Sequence, residues 1–256
     1  MRKRARGLGA LAGAVMAAAA MAWAPAAAPS AEAATATTAA TAFGWGSPIH
    51  AEEFTSGTTP NPTSWYVYSS AGHNGQGLRA PQAWSVWAGN AIVHGDANGT
   101  TGGMAARWSG ADTRYGRWEV RMKTSANRDP KYHPVLILWP SNDDWPCGGE
   151  IDFSEGTSAD IRRTGFYYHY GCTNKQTQVS IPNDTSVWHT YAVQWTRYGV
   201  TGYIDGRVWF QDYDTSHLPS GPMHLTMQLD WFPEAGKATK DTWMFVDWAR
   251  QYAPKK

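Results

Sequence analysis

The chain has 256 residues, of which 42% are hydrophobic and 17% are charged, and its formal net charge is +1. A balance this close to neutrality argues against a protein that binds nucleic acid through the phosphates. The 15 Trp, 12 Tyr and 7 Phe residues exclude disorder over most of the chain, because disordered segments are poor in aromatic residues. Such a surplus of Trp favours a ligand with flat rings.

The first 33 residues have the pattern of a secretory signal peptide. Four basic residues among the first six precede an uncharged, Ala-rich run, and residues 31–33 (AEA) offer a small-x-small cleavage site. A membrane anchor is the alternative, but Pro25 and Pro29 interrupt the run. We therefore expect a secreted protein, with the low-complexity residues 34–42 as a mobile leader. Cleavage would leave 18 basic and 20 acidic residues, which suits an uncharged substrate.

Residues 43–256 are predicted to form a single all-β domain. Short runs rich in Val, Tyr, Trp, Phe and Thr lie between Gly and Pro residues, which is typical of many short strands. Polar and apolar residues alternate in residues 117–124, 188–196 and 243–252, as in strands that are buried on one face. No segment of ten or more residues shows helical periodicity. This pattern favours a β-sandwich of two antiparallel sheets.

The two cysteines, Cys147 and Cys172, are expected to form a disulfide in an oxidising compartment, with two free buried thiols as the alternative. Closing this loop would stabilise the fold by about 3 kcal/mol. If the two residues face each other across an antiparallel strand pair, Glu150 lies opposite His169. Asp152 then lies opposite Tyr167.

An acidic cluster follows at residues 150–155 (EIDFSE). In a strand, Glu150 and Asp152 share one face because side chains alternate with a period of two. Glu155 would fall on the other face, and one β-bulge between Asp152 and Glu155 would return it. Carboxylates this close repel each other, so at least one must have a raised pKa. A retaining glycosidase needs one ionised and one protonated carboxyl group; the alternative is a solvated acidic strand edge.

The acidic cluster and several other segments together resemble glycoside hydrolase family 16, the laminarinase and lichenase group, whose motif is E-[ILV]-D-x-x-E. The other matching segments are residues 115–121 (YGRWEVR), 145–150 (WPCGGE), 164–170 (TGFYYHY), 188–193 (WHTYAV), 203–206 (YIDG) and 244–248 (MFVDW). The resemblance implies a jelly roll with an open, concave cleft. It also implies retaining endo-hydrolysis of a β-glucan with β-1,3 or mixed β-1,3/1,4 linkages. Glu150 would then be the nucleophile, Glu155 the general acid/base, and Asp152 the residue that tunes their protonation.

Sugar rings have flat C–H faces that pack on aromatic side chains. The candidate stacking residues are Trp145, just before the acidic cluster, Trp231, in a predicted loop between late strands, and Trp139. His169 and Asn74 are candidates for hydrogen bonds to sugar hydroxyl groups. The plainer interpretations are a structural histidine and an ordinary surface turn.

No cofactor is expected to be required, and the resemblance suggests only a structural calcium ion with Asp247 as one ligand. We expect a monomer that acts on a polysaccharide, without nucleic acid as a partner and without membrane attachment after cleavage.

Three other functions compete with the hypothesis of a retaining endo-β-glucanase. They are a non-catalytic carbohydrate-binding sandwich, a polysaccharide lyase with Tyr167, Tyr168 or His169 as its base, and the same hydrolase acting on a galactan such as agar or carrageenan.

Overall fold

A computed structural model describes residues 37–157, 160–233 and 240–254, so the predicted signal peptide lies outside the described residues. Within them the chain has 18 strands, one short helix, α1 (Ala39–Ala42), and three 3₁₀ turns, which confirms the all-β class. The turns are His73–Gly75, Pro81–Ala83 and Thr215–His217. No helix in this part of the chain is long and apolar enough to span a bilayer.

The strands are numbered in chain order. They are β1 (His50–Glu52), β2 (Trp65–Val67), β3 (Ser70–Ala71), β4 (Leu78–Arg79), β5 (Trp84–Trp87), β6 (Asn90–Gly95), β7 (Thr100–Thr101), β8 (Gly103–Ala106), β9 (Gly116–Thr124), β10 (Tyr132–Pro140), β11 (Glu150–Glu155), β12 (Arg163–Tyr170), β13 (Lys175–Pro182), β14 (His189–Thr196), β15 (Gly199–Ile204), β16 (Arg207–Asp212), β17 (Met223–Trp231) and β18 (Thr242–Tyr252).

Two large antiparallel sheets form the predicted sandwich. The seven-stranded site sheet has the order β13-β12-β11-β10-β17-β8-β2 and carries the acidic cluster on β11. The eight-stranded second sheet has the order β16-β15-β14-β9-β18-β6-β5, with β1 paired to the end of β18. A small third sheet, β3-β4-β7, completes the fold.

The core lies between the two large sheets and dictates which side chains face outwards. On β11, Ile151 and Phe153 are fully buried and belong to the same apolar cluster as Trp118 and Trp195 of the second sheet. Full burial of each such side chain stabilises the fold by about 1.5–3 kcal/mol. Because side chains alternate along a strand, burying Ile151 and Phe153 directs Glu150 and Asp152 to the opposite face.

The segment predicted to be a mobile leader is instead packed against the second sheet from residue 37 onwards. Ala39 is fully buried, and its amide N–H donates to Glu119 Oε1 at 2.6 Å. Shortly after α1, Trp45 packs edge-on against Tyr203 and Tyr252. The prediction of a mobile leader is therefore wrong for residues 37–42. It relied on their low sequence complexity, which gives no sign that Glu119 accepts a hydrogen bond from the Ala39 amide.

Glu119 is a buried carboxyl group on β9, and burial raises its pKa from 4.5 to about 7, although the Ala39 and Ala40 amides oppose this shift. In the unfolded chain the same carboxyl group ionises near its ordinary pKa. The folded state therefore binds more protons between these two values, so the free energy of unfolding falls as the pH rises from about 4.5 to about 7.

Replacing Glu119 by Gln should remove this pH dependence while keeping an acceptor for the Ala39 amide. As the pH rises through that range, we expect the free energy of unfolding of the variant to increase relative to that of the wild type by up to about 3 kcal/mol. Urea unfolding at several pH values measures the effect, and Asp112→Asn, at an exposed carboxylate, is the control. If the free energy of unfolding depended on pH in the same way for wild type and Glu119→Gln, the raised pKa of Glu119 would be contradicted.

Candidate active site

The acidic face of β11 depends on a single β-bulge. On the β10 side, Ile137 pairs with Asp152 and Val135 pairs with Glu155, so two steps on β10 match three steps on β11. The register to β12 shifts in the same interval, between Asp152 and Glu155. The extra residue turns Glu155 back to the face of Glu150 and Asp152. The predicted bulge is confirmed.

The predicted disulfide and strand register are confirmed as well. Cys147 is bonded to Cys172, Glu150 pairs with His169, and Asp152 pairs with Tyr167. The disulfide joins the segment before β11 to the turn after β12. It therefore holds the residues that lead into the acidic cluster against the neighbouring strand.

Asp152 is the most buried of the three acidic residues, with 5% of its surface exposed. Burial, followed by repulsion from Glu150 and Glu155, raises its pKa well above the ordinary value. This shift favours the protonated form of Asp152, which can donate a hydrogen bond to Glu150.

Glu150 is the member of this pair that ionises more readily. Burial raises its pKa, but His169, the Trp145 indole and Asp152 all act in the opposite direction. The indole N–H of Trp145 donates to Glu150 Oε2 at 2.7 Å. A carboxylate that accepts two hydrogen bonds beside a neutral acid has the charge state that a nucleophile requires.

Glu155 has a partner that the sequence prediction missed. His133 on β10 lies with its Nδ1 2.9 Å from Glu155 Oε1. Its imidazole ring stacks on Phe232, with ring centroids 4.0 Å apart. The available signal was the period of two on β10, which places His133 on the same face as Val135, the residue that pairs with Glu155.

His169 lies beside the acidic cluster with both ring nitrogens engaged. Asn174 Oδ1 lies 2.8 Å from Nδ1, and the Gln176 amide nitrogen lies 2.9 Å from Nε2. Nε2 also lies 3.6 Å from Asp152 Oδ2. The contacts favour a role in orienting the carboxyl groups, and its hydrogen bonding to sugar stays a prediction.

Of the three Trp candidates, Trp145 contacts the acidic cluster and Trp139 lies on the same face of the site sheet. Trp145 is 43% exposed while its indole N–H binds Glu150. Trp139 lies two residues beyond Ile137, and so on the same face of β10, and its indole N–H donates to Asp143 Oδ1 at 2.8 Å. Both remain candidates for stacking against a sugar.

The prediction that Trp231 lies in a loop is wrong. Trp231 is the last residue of β17 and only 8% exposed. A Cβ atom placed on Gly99 would lie 2.3 Å from its ring, and one on Gly77 would lie 2.8 Å away, so two glycine backbones cover the indole. This packing removes the ring surface that a sugar would need.

Asn74 lies in the exposed His73–Gly75 turn, where its amide nitrogen is 2.9 Å from His73 Nε2. The turn reaches the site through His73, whose ring stacks on Phe232 at 4.2 Å. Sugar binding by Asn74 stays a prediction.

Asp247 is paired with a cation instead of lying among further calcium ligands. Arg121 Nη1 lies 2.6 Å from Asp247 Oδ2. Among the described residues, Asp247 belongs to no group of three potential metal ligands. A guanidinium in this position opposes calcium binding at Asp247, and a structural calcium ion stays a prediction.

Comparison with known proteins decides the family. The model of the family "Glycosyl hydrolases family 16" matches residues 81–250. The chain belongs to this family. A β-glucanase of Rhodothermus marinus is 25% identical over 216 residues, which cover 71% of this chain and 74% of the relative. An endo-1,3-1,4-β-glycanase, EglC, of Rhizobium meliloti (strain 1021) is 28% identical over 160 residues, covering 60% of this chain and 33% of the relative.

Solved structures show the same fold. The laminarinase of Rhodothermus marinus superposes with a TM-score of 0.69 at 20% identity, covering 82% of this chain and 98% of that structure. LamAcat of Zobellia galactanivorans gives a TM-score of 0.69 at 17% identity, and the match covers 82% of this chain and 99% of that structure. The jelly roll is therefore confirmed, and family membership makes this glycosyl hydrolase an enzyme rather than a non-catalytic binding module.

Trp145→Phe should isolate the hydrogen bond to Glu150 because it removes the indole N–H and keeps an aromatic ring. Loss of this donor raises the pKa of Glu150. The acidic limb of the pH profile of kcat/KM should therefore move to higher pH by roughly one unit. Trp139→Phe is the matched control, since its indole donates to Asp143. Equal shifts in the two variants, or none in either, would refute the role of Trp145.

Proposed function

We propose that this family member is a secreted, retaining endo-β-glucanase that works by double displacement. The observation that carries the proposal is the bulged strand β11, which gathers an ionisable Glu150, a protonated Asp152 and Glu155 on one face. A retaining mechanism requires a nucleophile and an acid/base about 5–5.5 Å apart. The names of the sequence relatives, a β-glucanase and an endo-1,3-1,4-β-glycanase, support a β-glucan as the substrate.

In the first step, a Glu150 carboxylate oxygen attacks the anomeric carbon. The glycosidic C–O bond breaks, and Glu155 transfers its proton to the departing oxygen. The products are a glycosyl ester on Glu150 and an ionised Glu155. In the second step, Glu155 takes a proton from water while the water oxygen attacks the anomeric carbon. The ester bond then breaks, the Glu150 carboxylate is restored, and two inversions give net retention.

Asp152 would serve both steps without losing its proton. Its hydrogen bond orients Glu150 while Glu150 is a carboxylate, and its neutrality removes one negative charge from the site. An ionised Asp152 would repel both glutamates. The three acidic residues thus divide into a nucleophile, a neutral hydrogen-bond donor and a proton carrier.

The surroundings favour an uncharged substrate over the uronate of a lyase. Arg79, a cation near this face, makes two hydrogen bonds to Asp230, at 2.9 and 2.8 Å, so its charge is already matched. Burial, with Glu155 and Asp152 nearby, raises the pKa of Tyr167 and makes it a poor base. A β-glucan stacked on Trp145 and Trp139 fits this site better.

Secretion is part of the proposal and rests on the pattern of residues 1–33. The disulfide between Cys147 and Cys172 supports it, because such bonds persist in oxidising compartments. The monomeric state and the absence of nucleic-acid or membrane partners stay predictions from the sequence.

Product analysis on laminarin, lichenan, agarose and carrageenan tests the proposal, using wild type and Glu150→Gln. We expect β-glucan oligosaccharides whose first-formed anomer, followed by NMR, is β. Glu150→Gln should lose roughly 10⁴-fold or more of the turnover and still bind the glucan, whereas Glu53→Gln, at the surface, should behave as wild type. A first-formed α anomer, cleavage of the galactans alone, or full activity of Glu150→Gln would each overturn the proposal.

A further inference from the structure

We propose that His133 is a positioning residue that determines which oxygen of Glu155 carries the catalytic proton. The inference deepens the proposed function and rests on it, because it assigns His133 to the proton-transfer step of a retaining hydrolase. It starts from the contact between His133 and Glu155, which the acidic motif of β11 does not contain.

The contact joins two adjacent strands of the site sheet. His133 Nδ1 lies 2.9 Å from Glu155 Oε1, and the side chains of the two residues are only 9% and 18% exposed. Water therefore competes weakly for either group, and the hydrogen bond is stronger than it would be at an open surface.

The imidazole ring has little freedom to turn away from Glu155. Phe232 stacks on it with centroids 4.0 Å apart and an interplanar angle of 17°. The ring of His73 stacks on Phe232 in turn, at 4.2 Å. Three stacked rings thus fix the direction in which Nδ1 points.

A second carboxylate near His133 is already occupied. Asp230 pairs with His133 across β10 and β17. Both of its oxygens accept hydrogen bonds from Arg79. The carboxyl group that remains for His133 is that of Glu155.

The other ring nitrogen indicates the tautomer. His133 Nε2 is buried and has no hydrogen-bond partner among the described residues. A cationic ring would bury a second N–H without an acceptor, which costs more than burying an unpaired neutral nitrogen. The ring therefore carries its proton on Nδ1 and donates it to Glu155 Oε1.

This donation decides where Glu155 holds its own proton. Oε1 accepts the Nδ1–H, so the proton of the acid form resides on Oε2. In the first step Oε2 gives this proton to the departing oxygen, and in the second step Oε2 takes one from water. His133 keeps its proton throughout. Without His133 the carboxyl group can rotate and carry the proton on either oxygen, which misaligns the acid.

Leaving-group dependence separates this role from a structural one. A dinitrophenol departs without protonation, whereas a phenol needs the general acid. For His133→Ala we expect kcat/KM on a phenyl β-oligoglucoside to fall about 10- to 100-fold, and on the dinitrophenyl analogue less than about threefold. His133→Phe, which keeps an aromatic ring beside Phe232 but lacks the donor, should show the same selective loss.

His133→Asn is the rescue variant because its amide N–H can take the place of Nδ1–H. It should recover phenyl glycoside hydrolysis to within about fivefold of wild type. His94→Ala, on β6 of the second sheet, is the control and should change neither substrate. Urea unfolding of each variant shows whether it is folded.

The outcomes distinguish the two proposals. Equal losses on both aryl substrates in folded His133→Ala and His133→Phe, or a folded His133→Asn without rescue, would overturn the role of His133. If the role of His133 is overturned but Glu150→Gln is inactive in the same assays, the proposed retaining mechanism still stands. Full activity of Glu150→Gln would instead overturn the proposed function itself.

Discussion

Repulsion among three carboxyl groups on the face of β11 opposite the core is the interaction that organises this site. Ile151 and Phe153 must point into the core, which leaves Glu150 and Asp152 on the opposite face. The bulge then adds Glu155 to the same face. Three negative charges would repel one another there, and the raised pKa of Asp152 and the hydrogen-bond partner of each glutamate reduce that repulsion.

The donors for the two glutamates come from different parts of the fold, which keeps their chemistry separate. Trp145 reaches Glu150 from the segment that the disulfide holds. His133 reaches Glu155 from the neighbouring strand, where stacked rings fix it. Because both supports are anchored to the site sheet, the two carboxyl groups are held apart in position and in protonation.

The sequence predicts the centre of this site better than its surroundings. The period of two and the spacing of Glu150 and Glu155 predict the strand, the bulge and the shared face, and the cysteine positions predict the register. His133 was missed because its contact depends on β10 lying beside β11 and on Phe232 covering the ring. The ordering of Ala39 was missed for a similar reason, since its partner Glu119 lies 80 residues away.

The most direct measurement of the central claim is to trap the covalent intermediate. A fluorinated β-glucoside with a good leaving group slows the second step, so the glycosyl ester accumulates on the nucleophile. Peptide mass spectrometry then locates the label. The account predicts a single label on Glu150; a label on Asp152 or Glu155, or steady hydrolysis without any labelled peptide, would contradict it.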